Sequence, residues 1–186
     1  MNCTEITAGF VGGACGALPA GGTKALVYLF NFDDIDRSAS VIDEDGNITT
    51  LALKTGKKGV IFQTLDNGNE GGATFNKGTY IDTYDHSVTL RIFDDSKAAK
   101  KFVNTLGGAR VVAIMQRNSK ATDNELEVYG WESGLKMSEN PYSTNFTDNV
   151  AYAPVLATDE RSKETMLPRT YTGTLASLNA LCQSAA

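Results

Sequence analysis

His86 is the side chain best suited to acid–base chemistry near neutral pH, and it is the only histidine in the chain. Asp82 and Asp85 precede it, and an imidazole beside carboxylates can act as a general base or a metal ligand. The same residue types are common in turns, and the pattern predicts a break between two strands near Asp85 and His86. The sequence offers no second cluster with metal-ligand spacing. We therefore expect a structural role for His86, with no catalytic residue and no metal ligand.

The acidic segment Asp43-Glu44-Asp45-Gly46-Asn47 has the composition of a calcium-binding loop. In an EF-hand, however, the glycine comes later in the loop, and a bidentate glutamate stands where this sequence has Lys54. A hairpin turn at Asp45-Gly46 explains the same residues better. Asp33, Asp34 and Asp36 are interpreted as a solvated connection between strands.

Two glycine-containing segments resemble catalytic or phosphate-binding loops and fail in detail. Gly16 and Gly21 have the spacing of a phosphate-binding loop, but Gly22 stands in place of its lysine and a strand follows where a helix is required. Ser133, between Gly130 and Gly134, is one position too late for a nucleophile elbow. We therefore expect no cofactor site and no enzymatic activity.

Three aromatic residues offer a function of a different class. Tyr129, Trp131 and Tyr142 lie around a glycine-bounded turn and could form a flat platform for a sugar or another ligand. The alternative function is therefore a ligand-binding β-sandwich module of the carbohydrate-binding or adhesin-like kind. Packing within the domain explains Trp131 equally well.

Composition excludes several classes of protein. The 186 residues carry 17 Lys and Arg against 22 Asp and Glu, a net charge of -5, which is opposite to the balance expected of a protein that grips nucleic acid. No segment has the roughly 20 apolar residues that span a bilayer, so we expect no membrane partner. Cys3, Cys15 and Cys182 are too few for a disulfide scaffold and indicate a reducing compartment.

The order of predicted elements indicates a mainly β fold, with minor α content. We expect a small antiparallel β-barrel or sandwich with one flanking α-helix and extended N- and C-terminal arms. The predicted divisions are a flexible Gly-rich arm over 1–23, the domain over 24–160 with a helix at about 95–106, and a C-terminal arm with a short helix over 161–186.

This layout resembles one known family. A Gly-rich arm leads into KALVYLFNFDDID, followed by hairpins, SVTLRIF, the amphipathic helix AAKKFVNTL, and the strands ARVVAIMQR and ELEVYGWESGL. The order is similar to that of the tail tube (major tail) proteins of tailed bacteriophages and the tubes of contractile injection systems. The resemblance covers about residues 24 to 160 and is one of pattern and size.

The resemblance implies a structural rather than an enzymatic role. Members of this family form hexameric rings that stack into a tube through arms and a long hairpin. By this resemblance the chain is a virion protein of the phage tail, assembled in the bacterial cytoplasm with other tail proteins. DNA would pass through the tube without specific binding, and an acidic lumen would repel its phosphates.

Both arms are expected to contact neighbouring subunits, because their composition cannot build a core of its own. The expected anchors are apolar side chains at either end of the chain: Phe10, Val11, Leu18, Leu175, Leu178 and Leu181.

Overall fold

The computed structural model describes residues 22–118, 126–142, 152–159 and 163–183. The strands are β1 (Thr23–Asn31), β2 (Val41–Ile42), β3 (Ile48–Thr50), β4 (Gly59–Gln63), β5 (Glu70–Asn76), β6 (Thr83–Thr89), β7 (Arg110–Arg117), β8 (Leu126–Tyr129), β9 (Leu135–Glu139), β10 (Val155–Thr158), β11 (Arg169–Tyr171) and β12 (Cys182–Gln183). The helices are α1 (Lys97–Gly107), α2 (Leu175–Leu181) and a short 3-10 turn at Phe32–Asp34.

The strands form one mixed sheet that folds over on itself like a sandwich. Its main path runs β2-β3-β11-β8-β7-β9-β10-β6-β5, while β1 pairs with β7 and β4, and β12 pairs with β4. This confirms the predicted mainly β, sandwich-like fold with one flanking helix; the sheet does not close into a barrel. Most pairings are antiparallel, but β11 with β3 and β12 with β4 are parallel.

The centre of the fold is β1, which is buried on both faces. Tyr28 and Phe30 point to one core together with side chains of β7, β8 and α2. Val27 and Leu29 point to the other core, which β6, β9, β10 and α1 complete. Successive side chains of a strand face opposite ways, so a strand between two cores needs the continuous apolar run seen in the sequence.

Helix α1 flanks the second core. The Ser96 side chain caps its first turn by accepting a hydrogen bond from the Ala99 N–H at 3.2 Å. Val103 and Leu106 are buried, and Phe102 stacks on Phe62 of β4 with 5.7 Å between ring centroids. The helix begins two residues later and ends one residue later than expected.

The C-terminal residues correct the expected boundary at residue 160. Strand β11 lies between β3 and β8, and β12 adds to β4, so residues within 163–183 are part of the sheet. Leu178 is fully buried in the first core, and the Tyr28 hydroxyl donates to Asn179 Oδ1 at 2.9 Å. The short apolar helix is too small to make a core, but it covers the face of β1 that the other elements leave open. The arm predicted over 1–23 falls almost wholly outside the described residues.

Candidate functional site

The most prominent surface feature is the hairpin of β5 and β6. The two strands pair in register from Glu70 opposite Thr89 to Asn76 opposite Thr83, and residues 77–82 join them. Within the described residues β5 ends the strand path, with β6 as its strand partner. Among the residues that the structure describes, the hairpin therefore has an unpaired sheet edge along one side.

The end of this hairpin exposes large apolar side chains. Tyr80 is 96% exposed, Ile81 71% and Phe75 51%, and we call these three residues the hairpin tip. The loop holds its shape because the Gly78 N–H donates to Asp82 Oδ1 at 3.1 Å. A Cβ at Gly78 would lie 2.0 Å from the Ile81 carbonyl oxygen, so only glycine fits there. Such a cluster of exposed apolar side chains is typical of an interaction site.

The loop end of the hairpin is held by a second segment of chain. Tyr84 and Glu164 exchange both backbone hydrogen bonds, at 2.8 and 3.1 Å. Lys163 forms an ion pair with Asp85, whose carboxylate also accepts from the Asn76 side chain at 2.5 Å. Burial raises the pKa of Asp85, but these partners outweigh it and leave the pKa below its usual value. The strand residues next to the tip are therefore firmly held.

His86 lies in the middle of β6, and the strand runs through it without the predicted break. Its ring is buried, Nδ1 accepts from the Gly130 N–H at 3.2 Å, and Nε2 lies 2.9 Å from the Met166 carbonyl oxygen. Because Nδ1 is an acceptor, the proton is on Nε2 and is donated to Met166. Burial holds the pKa of His86 below its ordinary value, against the nearby carboxylate of Glu164. Neutral His86 thus ties two loops to the hairpin strand.

A buried carboxylate completes this junction, which we call the polar cluster (His86, Glu132, Ser133, Glu164 and Arg169). Glu164 is 1% exposed and accepts from the backbone N–H groups of Glu132 and Ser133 and from the Ser133 hydroxyl, at 2.7 to 3.1 Å. The segment around Glu164 is thereby bound to the turn at 132–133.

Glu132 in turn forms hydrogen bonds to the segment that contains Glu164. Its carboxylate accepts from the Thr165 N–H and hydroxyl and forms an ion pair with Arg169 at 2.6 Å. Burial raises the pKa of Glu132, but the Thr165 and Arg169 hydrogen bonds prevail and hold it below its usual value. The two loops are therefore joined by hydrogen bonds that run in both directions.

The hydrogen bonds of the polar cluster position loops rather than activate a nucleophile. A serine nucleophile would donate to an imidazole nitrogen, whereas Ser133 donates to Glu164 and both ring nitrogens of His86 are bonded to main chain. Sequence reasoning singled out His86 and Ser133 but missed Glu164, which lies in a charged stretch that resembles an ordinary solvated loop.

The three aromatic residues proposed as a platform do not share an exposed surface. Tyr129 and Trp131 are buried, and the Arg37 guanidinium lies 4.5 Å from both the Trp131 and Phe32 ring centroids. Tyr142 is exposed and stacks on Tyr152 at 5.1 Å. Trp131 therefore packs within the domain, and the ligand-binding alternative loses two of its three residues.

Hydrogen bonds from backbone N–H groups to the Asp43 side chain stabilise the acidic turn at residues 43–47. Asp43 Oδ1 accepts hydrogen bonds from the N–H groups of Asp45 and Asn47. The pKa of Asp43 lies below its usual value, chiefly because of the hydrogen bond from the Asn47 side chain. Gly46 has a φ of 86°, as the predicted hairpin turn between β2 and β3 requires. In the described parts of the chain, no group of three or more His, Cys, Asp or Glu residues could hold a metal ion.

The expected inter-subunit anchors divide into two groups. Phe10, Val11 and Leu18 lie outside the described residues. Leu178 is fully buried in its own subunit, and Leu175 and Leu181 are partly buried against the same core. Leu178 is therefore corrected to a core residue, since a neighbouring subunit could reach it only by opening the domain, whereas the inter-subunit contacts of Leu175 and Leu181 stay a prediction.

Comparisons with models of protein families, with curated proteins and with solved structures found no match to this chain. Among the residues that the structure describes, neither helix has the length and apolar character needed to cross a membrane.

The Cys182 thiol is expected to resist alkylation in the folded protein. Burial raises its pKa to about 11, so very little thiolate is present at neutral pH. With Cys3 and Cys15 replaced by serine, reaction with a coloured disulfide reagent should be slow in buffer and fast in denaturant. Rapid reaction of the native protein would contradict the burial of α2 and β12.

Proposed function

We propose that this chain is a virion structural protein, a tail tube subunit that assembles into stacked hexameric rings through its hairpin tip. The observation that carries the proposal is a long hairpin with an exposed apolar end on a sandwich-like domain with one flanking helix. The order of elements in the sequence supports the same proposal.

The energetics of the tip favour association. Burying one large apolar side chain contributes about 1.5–3 kcal/mol, so Tyr80, Ile81 and Phe75 together can supply several kcal/mol per contact. A ring of subunits contains one such contact for each subunit, and every stacked ring adds another set of these contacts. The tip thus has enough apolar surface to stabilise an assembly.

Open sheet edges support the same function. At the other end of the strand path, β2 exposes Val41 and Ile42. Edge strands with apolar side chains tend to pair with another chain unless they are protected. Ring closure would cover such edges between subunits, and the net charge of -5 suits a channel that must not hold DNA.

The double variant Tyr80→Ser with Ile81→Ser tests the role of the tip. We expect the wild-type chain to form large particles in light scattering and the double variant to remain small, with an unchanged melting temperature. Leu65→Ser is a matched control, since Leu65 is 62% exposed but lies away from the tip between β4 and β5. Equal assembly of the double variant and the wild type would refute the role of the tip.

A further inference from the structure

Two arginine side chains lie against the same aromatic ring. The ring is that of Phe32, in the 3-10 turn that follows β1, and the Arg110 guanidinium carbon lies 3.7 Å from its centroid. The Arg37 guanidinium carbon lies 4.5 Å from the Phe32 centroid and 4.5 Å from that of Trp131. Because both carbons are within 4.5 Å of one centroid, they cannot be further apart than twice that distance. Neither arginine belongs to the hairpin tip or to the polar cluster.

These two arginines lack an acidic partner among the residues that the structure describes. In the same part of the chain Arg91, Arg117 and Arg169 each form an ion pair with a glutamate. Arg37 and Arg110 form none there. The chain therefore holds two unpaired cations side by side.

The packing fixes the two cations and leaves hydrogen-bond donors free. A guanidinium has five N–H donors in its plane, and one that lies over a ring keeps the donors at its edge available. Arg110 Nε donates to the Ser133 carbonyl oxygen at 2.6 Å, which leaves its terminal nitrogens. Gly134 makes room for this side chain, since a Cβ there would lie 2.7 Å from Arg110 Cγ. Both cations are therefore in place before a ligand binds, which lowers the cost of binding.

The electrostatic surroundings favour an anion beside this pair. Partial burial lowers the pKa of Arg37, and the positive charge of Arg110 acts in the same direction. Glu164 and Glu132 attract Arg37, but their carboxylates already accept the hydrogen bonds of the polar cluster. Asp36, next to Arg37 in sequence, accepts from backbone N–H groups two and three residues later. An anion bound to both guanidiniums would offset their repulsion.

The chemistry of the pair indicates a phosphate group. The two oxygens of a carboxylate match one guanidinium fork, whereas the oxygens of a phosphate point in several directions and can bond to two forks at once. Nucleic acids bind to extended basic surfaces, and a single pair of cations on a chain of net charge -5 suits a small anion better.

We propose that Arg37 and Arg110 bind the phosphate group of a small molecule between them, with Phe32 and Trp131 holding the two guanidiniums in place. The proposal does not depend on ring assembly.

The fluorescence of Trp131 tests this site in the full chain. Trp131 is the only tryptophan, and its ring lies against Arg37, so an anion on that guanidinium should change its emission. Inorganic phosphate is titrated into one sample and sodium chloride of equal ionic strength into another. We expect a saturable change with phosphate and none with chloride. Equal responses to the two salts, or acetate binding as tightly as phosphate, would overturn the proposal.

Arg110→Gln tests the second cation and leaves the contact between Arg37 and Trp131 in place. It should weaken phosphate binding about tenfold, the loss expected for one hydrogen bond to a charged group. Arg117→Gln is the matched control at the other end of β7, where the side chain is in an ion pair, and should bind phosphate as the wild type does. If Arg110→Gln lowers the melting temperature, Arg110→Lys replaces it, since lysine keeps the charge and lacks the planar fork.

Two results with these variants would contradict the site. Wild-type affinity in the Arg110 variant would show that phosphate does not bind between the two arginines. Tighter binding of a duplex oligonucleotide than of phosphate would assign the pair to nucleic acid, which also overturns the proposal.

Discussion

Replacing Glu164 by alanine is expected to destabilise the protein by on the order of 3–5 kcal/mol, a large loss for a single substitution. The change leaves the N–H groups of Glu132 and Ser133 and the Ser133 hydroxyl buried without their acceptor. Each buried donor left without its acceptor costs about 1–3 kcal/mol, and the three losses are not fully additive. Urea unfolding followed by circular dichroism measures the change.

The matched control is Glu139→Ala, an exposed glutamate on β9. It should change the free energy of unfolding by less than about 0.5 kcal/mol. Glu164→Gln keeps the shape but replaces one acceptor oxygen with a donor, so we expect an intermediate loss. Similar free energies for Glu164→Ala and Glu139→Ala would mean that the polar cluster does not hold the two loops.

The second large effect is a loss of stability in weak acid that depends on His86. Burial lowers the pKa of His86 in the folded protein, whereas the unfolded chain takes up the proton near pH 6.5. Below that pH the unfolded state binds more protons than the folded state, so stability falls as pH falls towards the folded-state pKa. The loss is about 1.4 kcal/mol per pH unit over that window.

The charges around His86 determine how far its folded-state pKa lies below the unfolded value, and therefore the pH range over which stability falls. Glu164 and Glu132 favour the protonated ring, while burial and Arg169 oppose it, and the Tyr129 ring packs against it with 5.9 Å between centroids. Protonation of Nδ1 would also remove the acceptor of the Gly130 N–H. Burial of the charge and loss of this acceptor both destabilise the folded protein around the middle of β6.

Unfolding free energies of the wild type and His86→Gln, measured from pH 7.5 to 5, isolate this contribution. Carboxylates that titrate in both proteins cancel in the difference, and His86 is the only histidine. The difference in the free energy of unfolding between the wild type and the variant should become smaller as the pH falls. A gap that stays constant, or widens in acid, would show that the ring does not remain neutral in the folded state.

The elements with strong local patterns were predictable. The continuous apolar run of β1 is typical of a strand buried on both faces, the amphipathic segment AAKKFVNTL predicted a helix, and Asp45-Gly46 predicted a hairpin turn. In each case the hydrophobic period or the turn chemistry within a few residues determines the structure. Long-range pairing was not needed to recognise them.

The remaining features depend on contacts between distant segments. Leu178 belongs to a short apolar run that becomes core only because β1 presents Tyr28 and Phe30 to it. Glu164 lies in a charged stretch, and its burial follows from the turn at 132–133, which supplies its hydrogen bonds. Tyr80 has the even spacing of a strand residue, yet it lies in the exposed loop. No local pattern distinguishes these residues from their neighbours.

Electron microscopy of the purified full-length chain in negative stain, at high protein concentration and over a range of salt, tests the proposed function most directly. The proposal predicts rings with a central channel that stack into tubes, and their loss when Tyr80 and Ile81 are replaced by serine. A strictly monomeric wild-type protein, with no rings or tubes at any salt concentration, would contradict it.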